Sequence, residues 1–166
     1  SSSAASDVYK RQVLSENENL VRVMTIHKSK GLEFPVVILA GMGKRFNFTD
    51  ARGDVIIDRD FGVGANAVYL DKRTKKSTVI KDAVSRKIEK ENISEEMRVL
   101  YVALTRAREK LIMTGTVNDA TKSLNKWKQE AEVLKRENIF SYLDCSNFQT
   151  YIDMVMPVFC MEQDLR

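Results

Sequence analysis

The chain has 166 residues, with 27 Lys/Arg against 23 Asp/Glu, a formal net charge of +4 and a sequence pI near 9.0. At 43% hydrophobic and 30% charged it has the composition of a globular protein with a core, either one domain or part of a larger chain. No apolar run approaches the roughly 18 residues of a membrane span. Ser1–Gln12 lacks the apolar core of a signal peptide, and one histidine with two cysteines cannot assemble a His/Cys zinc site. Cys145 and Cys160 share no metal-type spacing and read as reduced packing residues. The mild basic excess permits an anionic partner without requiring one.

The opening SSSAASDVYKRQ is serine-rich and aperiodic, and 1–12 is set aside as a non-native leader. Val21–Ile26 is short, apolar and β-branched, which predicts a strand. Pro35–Met42 predicts a second, nearly all apolar and therefore covered on both faces, as in a parallel α/β sheet. Between these runs lies the polar stretch TIHKSKGLEF, Thr25–Phe34.

Asp54–Asp58 and Ala67–Leu70 alternate, and RDFGVGAN between them carries Gly62 and Gly64, so a hairpin is expected. Thr78–Arg108 predicts helix, with Ile80, Ala83, Val84 and Ile88, then Met97, Leu100, Tyr101 and Leu104, at helical spacing. Asn92-Ile93-Ser94 is expected to split it, with Ser94 as an N-cap ahead of Glu95 and Glu96. Lys110–Thr116 predicts another strand, followed by a helix over Asp119–Leu134 and helical pieces over Ile139–Leu143 and Tyr151–Val155. Strands joined by helices make the fold class α/β with a mostly parallel sheet, a β-hairpin insertion and flanking helices. Three apolar strands and a hairpin leave that sheet incomplete.

Two glycine patterns fail as nucleotide motifs. In GMGKR (Gly41–Arg45) a phosphate loop needs glycine at Ile38 and Ser or Thr at Arg45, so the segment reads as a plain strand exit. GVGANA (Gly62–Ala67) matches a dinucleotide fingerprint by spacing, but β-type residues follow it where a helix is required.

Two segments carry chemistry. In TIHKSKGLEF the donors Thr25, His27, Lys28, Ser29 and Lys30 cluster at a strand end, Gly31 permits close backbone approach, and Glu33 is the lone carboxylate. Lys, Ser and backbone N–H groups suit phosphates, and a carboxylate suits ribose hydroxyls. A phosphate or nucleic-acid site and a solvated connection between strands both fit these residues. In EEMRVLYVALTRAREKL (Glu95–Leu111) an apolar helix ends in Thr-Arg-Ala-Arg. There Arg106 either forks onto a phosphate or serves as a C-terminal cation favoured by the helix dipole. The run Lys72–Glu91 holds eight Lys/Arg against three Asp/Glu and reads either as a track along DNA phosphates or as a solvated helix face.

VMTIHKSKGLEFPVVILAG closely resembles motif V of superfamily 1A (UvrD/Rep-type) DNA helicases, and SEEMRVLYVALTRAREKLIMTG their motif VI, in the right order. The intervening segment and FSYLDCSNFQTYIDMVMPVF look most like the AddA-type subunit of bacterial AddAB helicase–nucleases. The resemblance runs from about Val21 to Pro157. It implies a partial RecA-like (P-loop NTPase) fold, with 13–116 the C-terminal half of the second motor domain and 117–166 a helical extension. It implies that Arg106 is the arginine finger at the γ-phosphate and that Gly31 and Glu33 lie at the nucleotide, Glu33 near its ribose. Thr25, His27, Lys28, Ser29 and Lys30 would touch single-stranded DNA backbone; Arg98 would support the motif VI helix, and Arg108 matches no family role. It further implies ATP and Mg²⁺ as cofactors and single- or double-stranded DNA as partner. The first motor domain of the same parent chain and an AddB-type subunit would be its protein partners, in the cytoplasm. No phosphate loop, Mg²⁺ carboxylate motif, adenine-reading glutamine motif or nuclease constellation is recognisable, so the 166 residues alone are expected neither to hydrolyse ATP nor to cut DNA. A helicase of the same superfamily without a nuclease, and a non-catalytic interaction module, are the alternatives.

Overall fold

The structure is a computed structural model and describes residues 20–137, 139, 140, 145 and 147–163. The expected leader lies outside them, as does most of the helical piece expected over 139–143. In chain order the elements are a 3-10 turn Ile26–Ser29, β1 (Phe34–Leu39), a 3-10 turn Thr49–Ala51, β2 (Val55–Asp58), β3 (Gly62–Tyr69) and β4 (Thr74–Ser77). They continue with α1 (Val79–Leu104), β5 (Ala107–Met113), α2 (Ala120–Glu137) and α3 (Tyr151–Gln163). The class is α/β, with two small sheets: β1 and β5 pair in parallel, and β2, β3 and β4 form an antiparallel meander.

The parallel pair organises the core. Leu39 of β1 packs with Ile93, Leu100 and Ala103 of α1 and Met154 of α3, with Leu111 and Met113 of β5 against them. Val36 and Ile38, on the other face of β1, are 50% and 64% exposed. Both faces of β1 are apolar as expected, but among the described residues only one is covered.

The expected strand over Val21–Ile26 is not there. Val21 and Val23 are 95% and 97% exposed and no described strand pairs with them, so their β propensity finds no ladder. Helix α1 is also unbroken at Asn92–Ser94. Its N-cap is Thr78, whose hydroxyl accepts from Lys81 N (3.2 Å) and donates to the Ala65 carbonyl (2.7 Å). Ile93 is buried in the core, so tertiary packing carries the helix through a locally weak stretch. The buried stripe of its C-terminal half is Ile93, Leu100 and Ala103. Met97, Tyr101 and Leu104, which share the helical spacing of Leu100, belong to a neighbouring stripe and are 43%, 69% and 36% exposed. The helix stops at Leu104, short of Arg108, because Ala107 onward joins the sheet.

The hairpin is one strand larger than expected. The chain turns at Asp58–Gly62, where the Asp58 carboxylate accepts from the amides of Asp60 and Phe61 (2.9 Å each), and Gly62 takes φ +78°. The GVGANA segment is strand, not helix, in line with its rejection as a fingerprint. Gly64 is needed there because a Cβ would sit 2.7 Å from Lys81 Cα, so the meander lies directly on α1. Lys87 of α1 bonds Asp60 and Asp58 (2.9 Å), whose hydrogen bonds hold its amine protonated well above the ordinary lysine range, while the Lys87 hydrogen bond keeps the Asp58 carboxyl below its own. GMGKR is a strand exit: Gly41 takes φ +76°, Met42 is buried, and Gly43 lies against the Thr116 carbonyl.

The C-terminal helices form a second cluster, with Trp127, Ala131 and Cys160 packed together. Asp153 clasps them. It accepts from Trp127 Nε1 (3.0 Å) and Gln149 N (3.3 Å) and pairs with Lys126 (3.3 Å). Burial alone would raise its pKa, but the Trp127 hydrogen bond and the Lys126 charge outweigh it and the carboxyl sits below the usual 3.8. A lowered folded pKa means the clasp stabilises fully above about pH 4 and is lost as pH falls through that lowered value. Asp153→Asn is expected to cost about 1–2 kcal/mol at pH 7, and equilibrium unfolding across pH should show the gap to wild type closing below about pH 4.

Candidate functional site

The parallel register of β1 and β5 brings the two polar segments together. Phe34 stands beside Ala107, and Phe34 N donates to the Arg106 carbonyl (2.9 Å). The end of the segment before β1, at Leu32–Phe34, therefore meets the turn just before β5 at Arg106. The site lies at the amino ends of both strands, not at the end of a strand over Val21–Ile26, because no such strand forms.

Thr25 caps the 3-10 turn: its carbonyl (3.0 Å) and hydroxyl (3.4 Å) both accept from Lys28 N. Ser29 is buried and donates to the Ile26 carbonyl (2.7 Å), so its hydroxyl closes the turn from inside. Thr25, His27, Lys28 and Lys30 are exposed around it. Gly31 takes φ +84° in open space, a conformation unfavourable to a side chain, and its turn ends with Leu32 N on the Ser29 carbonyl (3.0 Å). Glu33 is exposed at the entry to β1.

Arg106 binds the two segments through its side chain. Nε donates to the Val102 carbonyl (2.9 Å), one terminal nitrogen to the Leu32 carbonyl (2.9 Å), and the other to the Thr105 hydroxyl (3.0 Å). Thr105 is itself anchored on the Tyr101 carbonyl (2.9 Å). The guanidinium thus caps the end of α1 and grips the loop between Gly31 and Glu33 in one stroke. The Leu32 carbonyl is not legible as a site member in the sequence, since a backbone acceptor leaves no mark there. The glycine one residue upstream is the only signal.

A groove of about 500 Å³ runs between the turn and α1, with Ile26, His27 and Lys30 on one wall and Arg98, Tyr101 and Val102 on the other. Arg98 pairs with Glu95 (2.9 Å), both well exposed, so the pair adds little to helix stability. Arg108 is exposed on β5.

Residues 5–118 match the family pattern described as UvrD-like helicase C-terminal domain, and the match includes part of the stretch set aside as a leader. Three relatives carry the same name, the A subunit of an ATP-dependent helicase/nuclease. The chain is 45% identical over 161 residues to the one from Clostridium botulinum (strain Alaska E43 / Type E3). It is 45% identical over 161 residues to that of Clostridium novyi (strain NT), and 56% identical over 118 residues to that of Lachnoclostridium phytofermentans. These alignments cover 97%, 97% and 71% of this chain but 13%, 13% and 9% of the relatives' lengths. No helix among the described residues is long and apolar enough to cross a membrane. The chain belongs to the UvrD-like helicase C-terminal domain family.

Proposed function

We propose that this chain is the part of an ATP-driven DNA helicase–nuclease subunit that couples nucleotide state to DNA grip. The observation that carries it is the Arg106 guanidinium bonded to the Leu32 carbonyl, a direct link from the turn before β5 to the loop before β1. In this reading 13–116 is the C-terminal half of a second RecA-like motor domain and 117–166 its helical extension. The first motor domain of the same parent chain supplies the phosphate loop and the Mg²⁺ ligands. The parent works in the cytoplasm with an AddB-type subunit, moves 3′ to 5′ on DNA and serves double-strand break repair and recombination. The chain alone is inactive.

The donor set fits a triphosphate. Arg106 offers a fork of N–H donors at a half-buried site, and Glu33, beside the loop it grips, offers a carboxylate to ribose hydroxyls. When ATP is bound it supplies the phosphoryl group whose developing charge such a guanidinium meets. A phosphate oxygen adds a full negative charge and bidentate geometry that a neutral carbonyl lacks, so Arg106 exchanges Leu32 for phosphate when the cleft closes. That exchange frees the loop, and Gly31, with nothing within 4 Å of a Cβ position, is where the backbone can pivot. The Ile26–Ser29 turn moves as a unit because Thr25 and Ser29 lock it internally. His27, Lys28 and Lys30 ride on that unit and change their hold on the DNA backbone.

In the full-length protein, Arg106→Ala should lower ATPase kcat by about 10³-fold or more while ATP binding stays within a few-fold of wild type. Steady-state kinetics with an equilibrium nucleotide titration checks both, and wild-type turnover contradicts the assignment. His27→Ala should raise the DNA concentration for half-maximal ATPase stimulation by about tenfold, the worth of one lost hydrogen bond, and leave basal ATPase near wild type. An equal fall in basal and stimulated rates points to a purely structural histidine.

A further inference from the structure

The structure separates the cations of Lys72–Glu91 that are held by protein groups from those that are not. Lys75 is held by Asp54 (2.6 Å), Lys81 by Asn66 (2.8 Å), and Lys87 by Asp58 and Asp60. Lys72, Arg73 and Lys76 have no described partner and gather at one place, the β3–β4 hairpin, with Asp71 the one carboxylate in its turn; Arg86, also exposed without a described partner, lies on α1. The tip also exposes large apolar groups: Leu70 is 85% and Tyr69 45% exposed. Tyr69 and Lys76 lie on the same outward face, because Ala67 stands opposite Lys76 and Tyr69 opposite Thr74. Arg73 holds φ +47°, a left-handed position that asparagine or glycine fills more easily than arginine.

Placement gives this cluster its meaning. The meander lies on the amino half of α1, with Gly64 at Lys81 and Asp58 at Lys87. Strand β3 therefore runs back toward the amino end of α1, and its tip extends past that end. The groove beside His27 and Lys30 lies on the carboxyl half, against Glu95, Arg98 and Val102. Lys81, Ile88, Glu95 and Val102 recur every seven residues, so both contacts fall along one flank of the helix. From Lys81 to Val102 is about 30 Å at 1.5 Å per residue. The hairpin beyond Lys81 brings the separation to the order of 40 Å. That equals roughly a dozen phosphates along one strand at about 3.4 Å each.

We propose that the β3–β4 hairpin is a second DNA contact, in which Lys72, Arg73 and Lys76 meet backbone phosphates about 40 Å from the His27 turn. Tyr69 and Leu70 provide an apolar face for sugar or base edges beside those phosphates. The contact depends on the parent protein acting on DNA, as read above. It adds affinity and register and takes no part in ATP hydrolysis.

The test compares full-length wild type with the triple variant Lys72→Ala, Arg73→Asn, Lys76→Ala, in which asparagine keeps the left-handed turn. Affinity for a single-stranded and for a duplex oligonucleotide is measured across a salt series. At about 0.9 counterions per phosphate contact on duplex and 0.7 on single strands, the triple variant should flatten the slope of log K against log salt by about 2–3. The arm that flattens identifies the form of DNA held. ATPase kcat at saturating DNA should match wild type, which reports an intact fold. A slope within half a unit of wild type on both DNAs, with wild-type binding intact, overturns the hairpin contact alone. So does an unchanged slope with lost binding to a partner protein. A wild-type protein that binds neither DNA overturns the DNA reading and the hairpin with it.

Discussion

The parallel pairing of β1 with β5 is the constraint from which the rest follows. It sets two segments more than seventy residues apart side by side at the same end of a sheet, with Phe34 N on the Arg106 carbonyl as the first rung. A parallel pair needs a long crossover, and here the crossover is the meander and the 26-residue helix α1. The helix is long because it serves two surfaces: its carboxyl half covers β1 and β5 and its amino half carries the meander. Arg106 then closes the loop of constraints, since its side chain spans the helix end and the loop before β1.

This arrangement leaves a charged side chain with uncharged acceptors only. Three protein oxygens hold the guanidinium in the structure, all neutral. An anionic competitor gains by charge what the carbonyls provide by proximity. The grip on Leu32 is the one bond of the three that reaches beyond the end of α1, and it ties down a self-contained turn bearing the exposed donors. The C-terminal helices stand apart from this device. They attach through Ile152 N on the Met42 carbonyl (3.1 Å), Phe46 N on the Gln149 carbonyl (2.8 Å) and the hydrogen bond from Tyr151 to Glu96 on α1. They brace the exit of β1 and the middle of α1.

Much of this is legible from residues alone where burial or chemistry leaves a periodic mark. Phe34–Leu39, Ala107–Met113 and Ala120–Glu137 fall within a few residues of their expected places because continuous apolar runs and amphipathic spacing define them. The glycine patterns at Gly41 and Gly62 fail as nucleotide motifs in the structure as in the sequence, since neither opens a helix. Local propensity is what misleads. Val21 and Val23 read as strand but have no described partner to pair with, and Asn92–Ser94 reads as a break but is held in helix by the burial of Ile93. The fourth strand, Thr74–Ser77, has almost no apolar signal; its neighbour β3 and the N-cap at Thr78 place it. In the site, side chains announce themselves and backbone acceptors do not, so Arg106 is visible in the sequence while the Leu32 carbonyl it holds is not.

If Arg106 transmits nucleotide state to the turn bearing His27, it does so by letting go of Leu32. Amide hydrogen exchange of the full-length protein, with and without a non-hydrolysable ATP analogue, tests it most directly. The account predicts that the analogue speeds exchange of the loop amides from Lys30 to Glu33, and that Arg106→Ala makes those amides fast without nucleotide and insensitive to it. Amides that exchange alike in both states of the wild type, or an analogue effect that persists in the variant, would contradict it.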